Sequence, residues 1–269
     1  MNEPLRPFGW KYDLSSPNTP ASPGSITNLL QPAPNHIHEN YIELSRTTVN
    51  HRGFSSIAGS LLLIAGLLMI MYFIHLDLLY PTNSDLQTTA IITLLYIATA
   101  FITLPYIRLD IQHPRDAPIR FNRHCRKAYF YEYRFDRLRP LGRKHWGIKP
   151  IAYNWDDLTA EVYSVYAPMG YGGLVEKVMI AVRKPGSDEV IDRLLFADNL
   201  EKGKQYWEIS KLFMQEGAKS LPEFTFPPTD WSIDPFNPME RLAPKVQWPT
   251  EMDLESRTAP TQGATQCPL

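Results

Sequence analysis

The sequence contains few cysteines and no early apolar leader. Cys125 and Cys267 are the only thiols among its 269 residues, which is too few for a disulfide framework in a chain of this size. We therefore expect two reduced thiols in a reducing compartment. The first residues include Glu3 and Arg6 and do not form the apolar core of a signal peptide, so we expect no cleaved leader.

Motifs for catalysis are also missing from the sequence. The Gly-rich stretch at 170–173 has no Lys-Ser/Thr after it, as a phosphate-binding loop would require. Asp156 and Asp157 are adjacent, and neighbouring strand residues point to opposite faces, so they cannot act jointly as acid and base. His36 and His38 have no further ligands near them for a metal. We predict no catalytic residue, no cofactor and no metal, and therefore no enzyme.

Charge is absent from two long stretches of the chain. Residues 54–74 and 86–107 contain no Asp, Glu, Lys or Arg and are mostly apolar. A bilayer core needs roughly 20 apolar residues as a helix, and a helix pairs its own backbone polar groups there. The sequence therefore predicts a hairpin of two transmembrane helices within residues 53–108.

The charges around these stretches predict how the hairpin is oriented. The intervening segment at 75–85 has two Asp and no Lys or Arg, whereas Arg46 and Arg52 precede the first span and Arg108 follows the second. Positive charge is retained on the cytoplasmic side. We predict a multi-pass protein of a bacterial inner membrane with both termini in the cytoplasm.

The remaining sequence divides into three segments. Residues 1–52 contain seven prolines and no long apolar period, so we predict an irregular N-terminal segment. Residues 117–218 change to a period-two pattern typical of strands, followed by one amphipathic helix. Residues 219–269 are predicted to form a Pro-rich acidic tail whose last part is disordered.

The period-two segment predicts the fold class of the cytoplasmic domain. Tyr129, Tyr131, Tyr133 and Phe135 would share one strand face, and the 184–188 segment is a hairpin turn. Other strands are expected around 119–121, 147–153, 157–167, 175–183 and 189–196. We therefore expect a membrane α-helical hairpin plus an α+β domain, with an antiparallel sheet or partial barrel of about six strands closed by a C-terminal helix.

A basic segment follows the second span. Residues 108–150 hold 12 Lys/Arg against 4 Asp/Glu, and residues 216–269 hold 4 against 8. A polybasic segment beside a membrane can bind anionic headgroups; alternatively, these charges only set the topology and face solvent. Nucleic acid would suit the charge, but proximity to the membrane favours lipid. The candidate lipid- or partner-binding residues are Arg120, Arg123, Arg126, Lys127 and Arg134.

Several short motifs carry a family resemblance. They are Pro118-Ile-Arg-Phe-Asn-Arg123, Arg126-Lys-Ala-Tyr-Phe-Tyr131, Tyr153-Asn-Trp-Asp-Asp157, Arg183-Lys-Pro-Gly-Ser187 and Val190-Ile-Asp-Arg193. Over residues 50–222 the chain resembles an uncharacterised family of two-span proteobacterial membrane proteins, often encoded near type VI secretion and polymorphic-toxin genes. Its order of strands and final helix is similar to pleckstrin-homology-like domains.

The resemblance implies a binding function. It favours a non-enzymatic accessory protein, an immunity or adaptor partner of a type VI-secreted effector, that binds protein through its cytoplasmic domain. The alternative is a pleckstrin-homology-like sensor or scaffold that binds anionic lipid. Partner identity and oligomeric state stay open.

Overall fold

The computed structural model describes residues 6–22, 24, 26–46, 52–80, 83–167, 173–228, 239 and 242–259. Two long helices, α1 (Phe54–Leu79) and α2 (Asn83–Gln112), pack against each other. Both are long and apolar enough to cross a membrane, and most of their surface is exposed. This confirms the predicted pair of long apolar helices, and each extends beyond the uncharged stretch that predicted it.

Two glycines on α1 allow the helices to approach closely. A Cβ on Gly59 would lie 2.8 Å from Thr103 Cγ2, and one on Gly66 would lie 2.7 Å from Tyr96 Cδ2. The two pairs run in opposite directions along the helices, so α1 and α2 form an antiparallel hairpin. Small residues at such positions permit the close packing by which membrane helices associate.

Polar groups join the two helix ends that enter the rest of the fold. The carboxylate of Asp110 accepts hydrogen bonds from Gly53 N and Ser56 N, each at 2.9 Å, at the start of α1. In return, Arg52 donates to Asp110 O at 2.7 Å and to Pro114 O at 2.9 Å at the end of α2. An anion near a helix N-terminus and a cation near a C-terminus both interact favourably with the helix dipole. Asp110 of α2 thus stabilises the start of α1, and Arg52, just before α1, stabilises the end of α2.

The described strands form two main sheets and one short two-stranded ribbon, and all their pairings are antiparallel. The first sheet has the order β1-β9-β10-β11 and the second β2-β3-β4-β5-β8, while β6 pairs with β7. The strands are β1 (Trp10–Asp13), β2 (His36–Ile37), β3 (Tyr41–Leu44), β4 (Ile119–Asn122), β5 (Lys127–Phe130), β6 (Tyr133–Arg134), β7 (Gly147–Ile148), β8 (Ile151–Asn154), β9 (Leu158–Ala167), β10 (Gly173–Arg183) and β11 (Val190–Ala197).

Both main sheets and α3 (Leu200–Glu216) share one hydrophobic core. Trp155 lies at its centre, with its ring 5.4 Å from that of Phe121 and 5.0 Å from that of Trp207 on α3. Asn199 caps α3 by accepting from Glu201 N at 2.8 Å, and Gly217 ends it with a φ of 95°. A short helix, α4 (Thr250–Arg257), packs on β4.

The structure corrects several expectations for this domain. The N-terminal segment expected to be irregular supplies β1, β2 and β3, because its short extended pieces pair with β9 and β4. The strand expected over 127–135 ends at Phe130, and both of its faces are buried, so the tyrosines do not mark a single face. Among the described residues the strands form open sheets and no closed barrel.

The tail and the cysteines also differ from expectation. Part of the acidic tail folds back as α4, while residues 260–269 lie outside the described residues. The prediction of two reduced thiols is wrong for Cys125, which is disulfide-bonded, so the cysteines give no support for a reducing compartment. The fold brings the turn that carries it to the C-terminal segment, where Cys125 Sγ lies 4.0 Å from Thr258 O. Cys267 lies outside the described residues.

Candidate functional site

The β4–β5 hairpin carries four of the five basic residues predicted to contact lipid or a partner. Its turn is fixed locally, because Asn122 Oδ1 accepts from Cys125 N at 2.9 Å and Arg126 adopts a left-handed φ of 48°. Asn side chains favour such turns by bonding their own backbone. The hairpin places Arg120 in β4 and Lys127 at the start of β5.

Arg120 lies in a buried ion-pair network instead of facing a membrane. Only 2% of the residue is exposed. Its Nε donates to Glu43 on β3, and its Nη1 donates to Asp253 Oδ1 at 2.6 Å and Ser256 Oγ at 2.9 Å. The guanidinium also lies 4.6 Å from the ring of Trp248. Arg120 therefore joins β3, β4 and α4 and has no access to headgroups in this fold.

The rest of α4 also packs on the basic hairpin. Lys127 Nζ lies 2.7 Å from Glu255 Oε1, and both side chains are mostly buried. Asn122 Nδ2 donates to carbonyl oxygens at the end of α4, including Ser256 O at 3.1 Å and Thr258 O at 2.9 Å. The acidic tail and the basic segment seen in the sequence thus neutralise each other in part.

Arg123 and Arg126 also have partners within the fold. Arg123 donates to Gln215 O at 3.1 Å, where α3 ends. Arg126 makes a two-pronged contact with Asp156, including Nε to Oδ2 at 3.0 Å, and donates to Asn18 Oδ1 at 3.1 Å. The hydrogen bond to Asp156 raises the pKa of Arg126, and its counterpart lowers the pKa of Asp156. Both members of this pair are about half exposed, so it stabilises the fold weakly.

Arg134, the fifth predicted residue, is in a different setting. It is exposed at the end of β6, and among the described residues it forms no ion pair. It directly precedes the β6–β7 loop, which we define as residues 135–146. The structure therefore brings Arg120, Arg123, Arg126 and Lys127 together on one hairpin and leaves Arg134 apart from them.

The β6–β7 loop exposes apolar and basic side chains side by side. Leu138 is 78% exposed and Leu141 is 84% exposed. Pro140 and Trp146 are buried beneath them. Four further loop cations are exposed: Arg137, Arg139, Arg143 and Lys144. Isolated exposed leucines are common. Two exposed leucines with cations next to them in sequence are typical of a surface that contacts lipid, with the leucines in the apolar layer and the cations at anionic headgroups.

Several charged residues are buried that the sequence did not mark as such, among them Arg46 and Asp116. Arg46, only 2% exposed, donates to Ala117 O at 2.8 Å and Tyr131 O at 3.0 Å in one region and to Leu195 O at 2.9 Å on β11. Asp116 accepts from Ser45 Oγ at 2.9 Å. Burial raises the pKa of Asp116, and its hydrogen bonds partly oppose that rise. Most of these partners are distant in sequence, so no local pattern could have predicted them.

His113, directly after the end of α2, has a perturbed pKa. Burial lowers the pKa of His113, and Arg52 lowers it further, against a raising effect of the hydrogen bond to Pro114 O. Its ring lies 5.0 Å from that of Tyr133 on β6. In the described part of the chain, no group of three or more His, Cys, Asp or Glu could hold a metal ion.

Comparison with known proteins gives one match. Residues 96–260 match the model of a family described as a family of unknown function, DUF6708. The match begins within α2 and continues past α4, so it covers the basic segment, α3 and the folded part of the tail. No curated protein and no solved structure matches the chain.

Proposed function

The chain belongs to the DUF6708 family of unknown function, and we propose that it is a non-enzymatic accessory protein of a bacterial inner membrane. Its helical hairpin anchors it with both termini in the cytoplasm, and its sheet domain binds a protein partner. The observation that carries the proposal is the hairpin's exposed apolar surface. Leu61, Leu94 and Ile102 are each more than half exposed. An exposed apolar surface of this size is typical of a region that is covered by a membrane.

The polar groups of the hairpin agree with membrane insertion. Thr93 and Thr99 donate to the carbonyl oxygens of Thr89 and Leu95, each at 2.8 Å, within α2. Asp77, close to the distal end of α1, accepts from Thr89 Oγ1 at 2.7 Å. Hydroxyls that bond back to their own helix are tolerated in apolar surroundings. The hairpin thus presents few unpaired polar groups along its length.

Topology can be tested directly by reporter fusions. Alkaline phosphatase or a fluorescent protein is fused after Leu269 and, separately, between α1 and α2 after Tyr80. We expect fluorescence at Leu269 and phosphatase activity only at the connection, because the basic flanks keep the sheet domain inside. An active phosphatase at Leu269 would overturn the proposed orientation.

A candidate protein-binding surface lies on the β9–β10 hairpin. Tyr166 and Leu174 are cross-strand partners, and they are 69% and 74% exposed. Tyrosine is a frequent anchor in protein interfaces, and Leu174 extends the exposed apolar area beside it. The resemblance noted above favours a type VI-secreted effector, or a secretion component, as the partner, with the chain acting as immunity protein or adaptor.

The test is affinity capture from native membranes with paired variants. We expect a protein that co-purifies with the wild-type chain to be lost with Tyr166→Ala/Leu174→Ser. The matched control is Leu138→Ser/Leu141→Ser, which removes a similar exposed apolar area from the β6–β7 loop and should keep the partner. Capture that is identical for all three chains, or absent for all, would refute protein binding at this surface.

The lipid-sensing alternative has weaker support. Two antiparallel sheets with α3 are compatible with a pleckstrin-homology-like architecture, but the described strands form no closed barrel. Arg120 and Lys127 are engaged by Asp253 and Glu255, and Arg126 is engaged by Asp156. A headgroup site on the β4–β5 hairpin would have to displace these internal acids.

A further inference from the structure

We propose that the β6–β7 loop is a membrane-inserting element beside the anchor. Leu138 and Leu141 enter the acyl region of the leaflet on the side of the sheet domain. The surrounding cations contact the anionic headgroups of that leaflet: Arg137, Arg139, Arg143 and Lys144. This inference rests on the proposed insertion of the hairpin and assigns a lipid contact that is separate from the protein-binding surface.

The position of the loop along α2 carries the argument. Residues 138–142, Arg139 included, line an open groove of about 570 Å³ whose other wall is α2 from Tyr96 to Leu104. With a rise of about 1.5 Å per residue, Ala100 lies roughly 10 Å along the axis from Ile107, the last residue of the uncharged stretch. The loop therefore lies beside the last turns of the uncharged stretch of α2, at a depth that falls within a bilayer's apolar core.

Specific contacts hold the loop at that level. Arg108, near the end of α2, donates to Pro140 O at 2.7 Å and Gly142 O at 2.6 Å. The same guanidinium lies 4.2 Å from the ring of Trp146, whose Nε1 donates to Arg139 O at 2.9 Å. These contacts fix the backbone of the loop against the helix. Both leucines are therefore exposed on a loop whose backbone is held in place.

The groove between the loop and α2 suits an acyl chain better than water. Its walls are almost entirely apolar, formed by side chains such as Ile97, Phe101 and Leu104 together with Leu138. Water is stable in a cavity only where it finds several polar partners. The groove is continuous with the exposed apolar side of α2, so the lipid that surrounds the hairpin also fills it.

The charges of the loop match the boundary of a leaflet. Arg137 lies 5.6 Å from the ring of Tyr106, near the end of the span, at the depth where aromatic side chains and cations gather. Long basic side chains place their aliphatic stems in the apolar layer and their charges at the headgroups. Leucines held below a ring of cations would thus satisfy both layers.

Depth-dependent fluorescence quenching tests this placement in the full chain. A bimane label is attached to Leu141→Cys, to Leu94→Cys on the span and to Leu174→Cys on β10, in a Cys125→Ser/Cys267→Ser background. Leu174, which is 74% exposed, is the control for Leu141, which is 84% exposed. The chains are reconstituted in vesicles of phosphatidylcholine and phosphatidylglycerol with a doxyl quencher near the top of the acyl chain for residue 141, or near its end for residue 94, which lies roughly 20 Å along α2 from Ile107.

We expect strong quenching and a blue-shifted emission at 141 and 94, and neither at 174. Quenching at 94 but not at 141 would overturn the loop insertion and leave the membrane anchor intact. No quenching at 94 would refute the anchor itself. Omitting phosphatidylglycerol should weaken quenching at 141 only, and an unchanged value would overturn the headgroup contact.

Because the cysteine-free background alters a disulfide, wild-type protein supplies a second measurement. Limited trypsin digestion should cut after Arg137, Arg143 and Lys144 slowly in vesicles and faster after transfer to detergent, whereas the bond after Arg183, at the end of β10, is cut equally in both. Equal loop cleavage in both settings would overturn the proposal.

Discussion

The β4–β5 hairpin and the β6–β7 loop are both basic segments that follow the second helix, yet their charges are in opposite settings. On the hairpin, Arg120 and Lys127 are buried against Glu43, Asp253 and Glu255. On the loop, the cations are exposed and flank two exposed leucines. The contrast shows that a polybasic stretch beside a span need not be one functional unit.

The partner of each region explains the difference. Folding brings the acidic tail onto the hairpin, so the charge of α4 offsets that of β4 and β5. No described carboxylate forms an ion pair with the four loop cations, and the loop is held by backbone contacts to Arg108 instead. The charges of the β4–β5 hairpin therefore form ion pairs within the fold, whereas the charges of the β6–β7 loop remain available to contact lipid headgroups.

The largest expected effect comes from breaking the buried network. Arg120→Ala should destabilise the protein by about 3–5 kcal/mol, because it leaves Glu43 buried without its counter-charge. Arg137→Ala is the matched control on the loop and should change stability by less than about 0.5 kcal/mol, as expected for an exposed residue. Denaturant unfolding in detergent measures both. Similar losses for the two variants would contradict the contrast between hairpin and loop.

The pairing of tail and hairpin can be sharpened by a charge swap. Glu255→Lys alone should destabilise the fold because it faces Lys127, and adding Lys127→Glu should recover part of the loss. Contacting charged residues couple by about 0.5–3 kcal/mol, and we expect a value in that range from the double-mutant cycle. Strictly additive effects would mean that α4 does not hold Lys127 in solution.

Releasing the loop from α2 should have a smaller effect on stability. Arg108→Gln removes the charge-assisted hydrogen bonds to the loop backbone, each worth about 1.5–3 kcal/mol in general, although the half-exposed site reduces the loss. We expect faster trypsin cleavage within 137–144 while unfolding of the sheet domain changes little. Arg126→Gln, which breaks exposed contacts to Asp156 and Asn18 on the β4–β5 hairpin, is the control and should leave loop cleavage unchanged.

How far the sequence predicts this structure depends on how local the determinants are. The long apolar helices α1 and α2 follow from composition, and the β10–β11 hairpin and α3 follow from turn residues and periodicity. The short strands β1 and β3 could not be predicted, because they form only by pairing with distant β9 and β4.

The candidate site was predicted in part for the same reason. Composition located the basic segment but could not separate its two halves, since the acids that pair with Arg120 and Lys127 lie 77 to 133 positions away. Leu138 and Leu141 did leave a local trace, as two isolated aliphatics beside Pro140 in a run of arginines. Their importance depends on the position of the loop along α2, which is a tertiary property.

The smallest expected effect is the pH dependence of folding stability that arises from His113, between α2 and β4. The pKa of His113 is lowered in the folded state, whereas the unfolded chain has an ordinary value of about 6.5. Below about pH 6.5 the unfolded state therefore binds a proton that the folded state does not, and stability is lost as pH falls towards the lowered pKa.

His113→Phe should flatten this decline, since phenylalanine does not titrate and can keep the ring contact with Tyr133. Unfolding midpoints between pH 5 and 8 measure the slope. His124→Phe, at an exposed histidine of the β4–β5 turn, serves as the control and should preserve the wild-type slope. An unchanged slope in His113→Phe would contradict the proposed linkage.

The most direct test compares both regions in one membrane. Spin labels at Leu141→Cys on the loop and His124→Cys on the β4–β5 turn are measured in nanodiscs for collisions with oxygen, which dissolves in lipid, and with a water-soluble nickel chelate. The account predicts that oxygen dominates at 141 and the nickel chelate at 124. The same aqueous accessibility at both sites would contradict it.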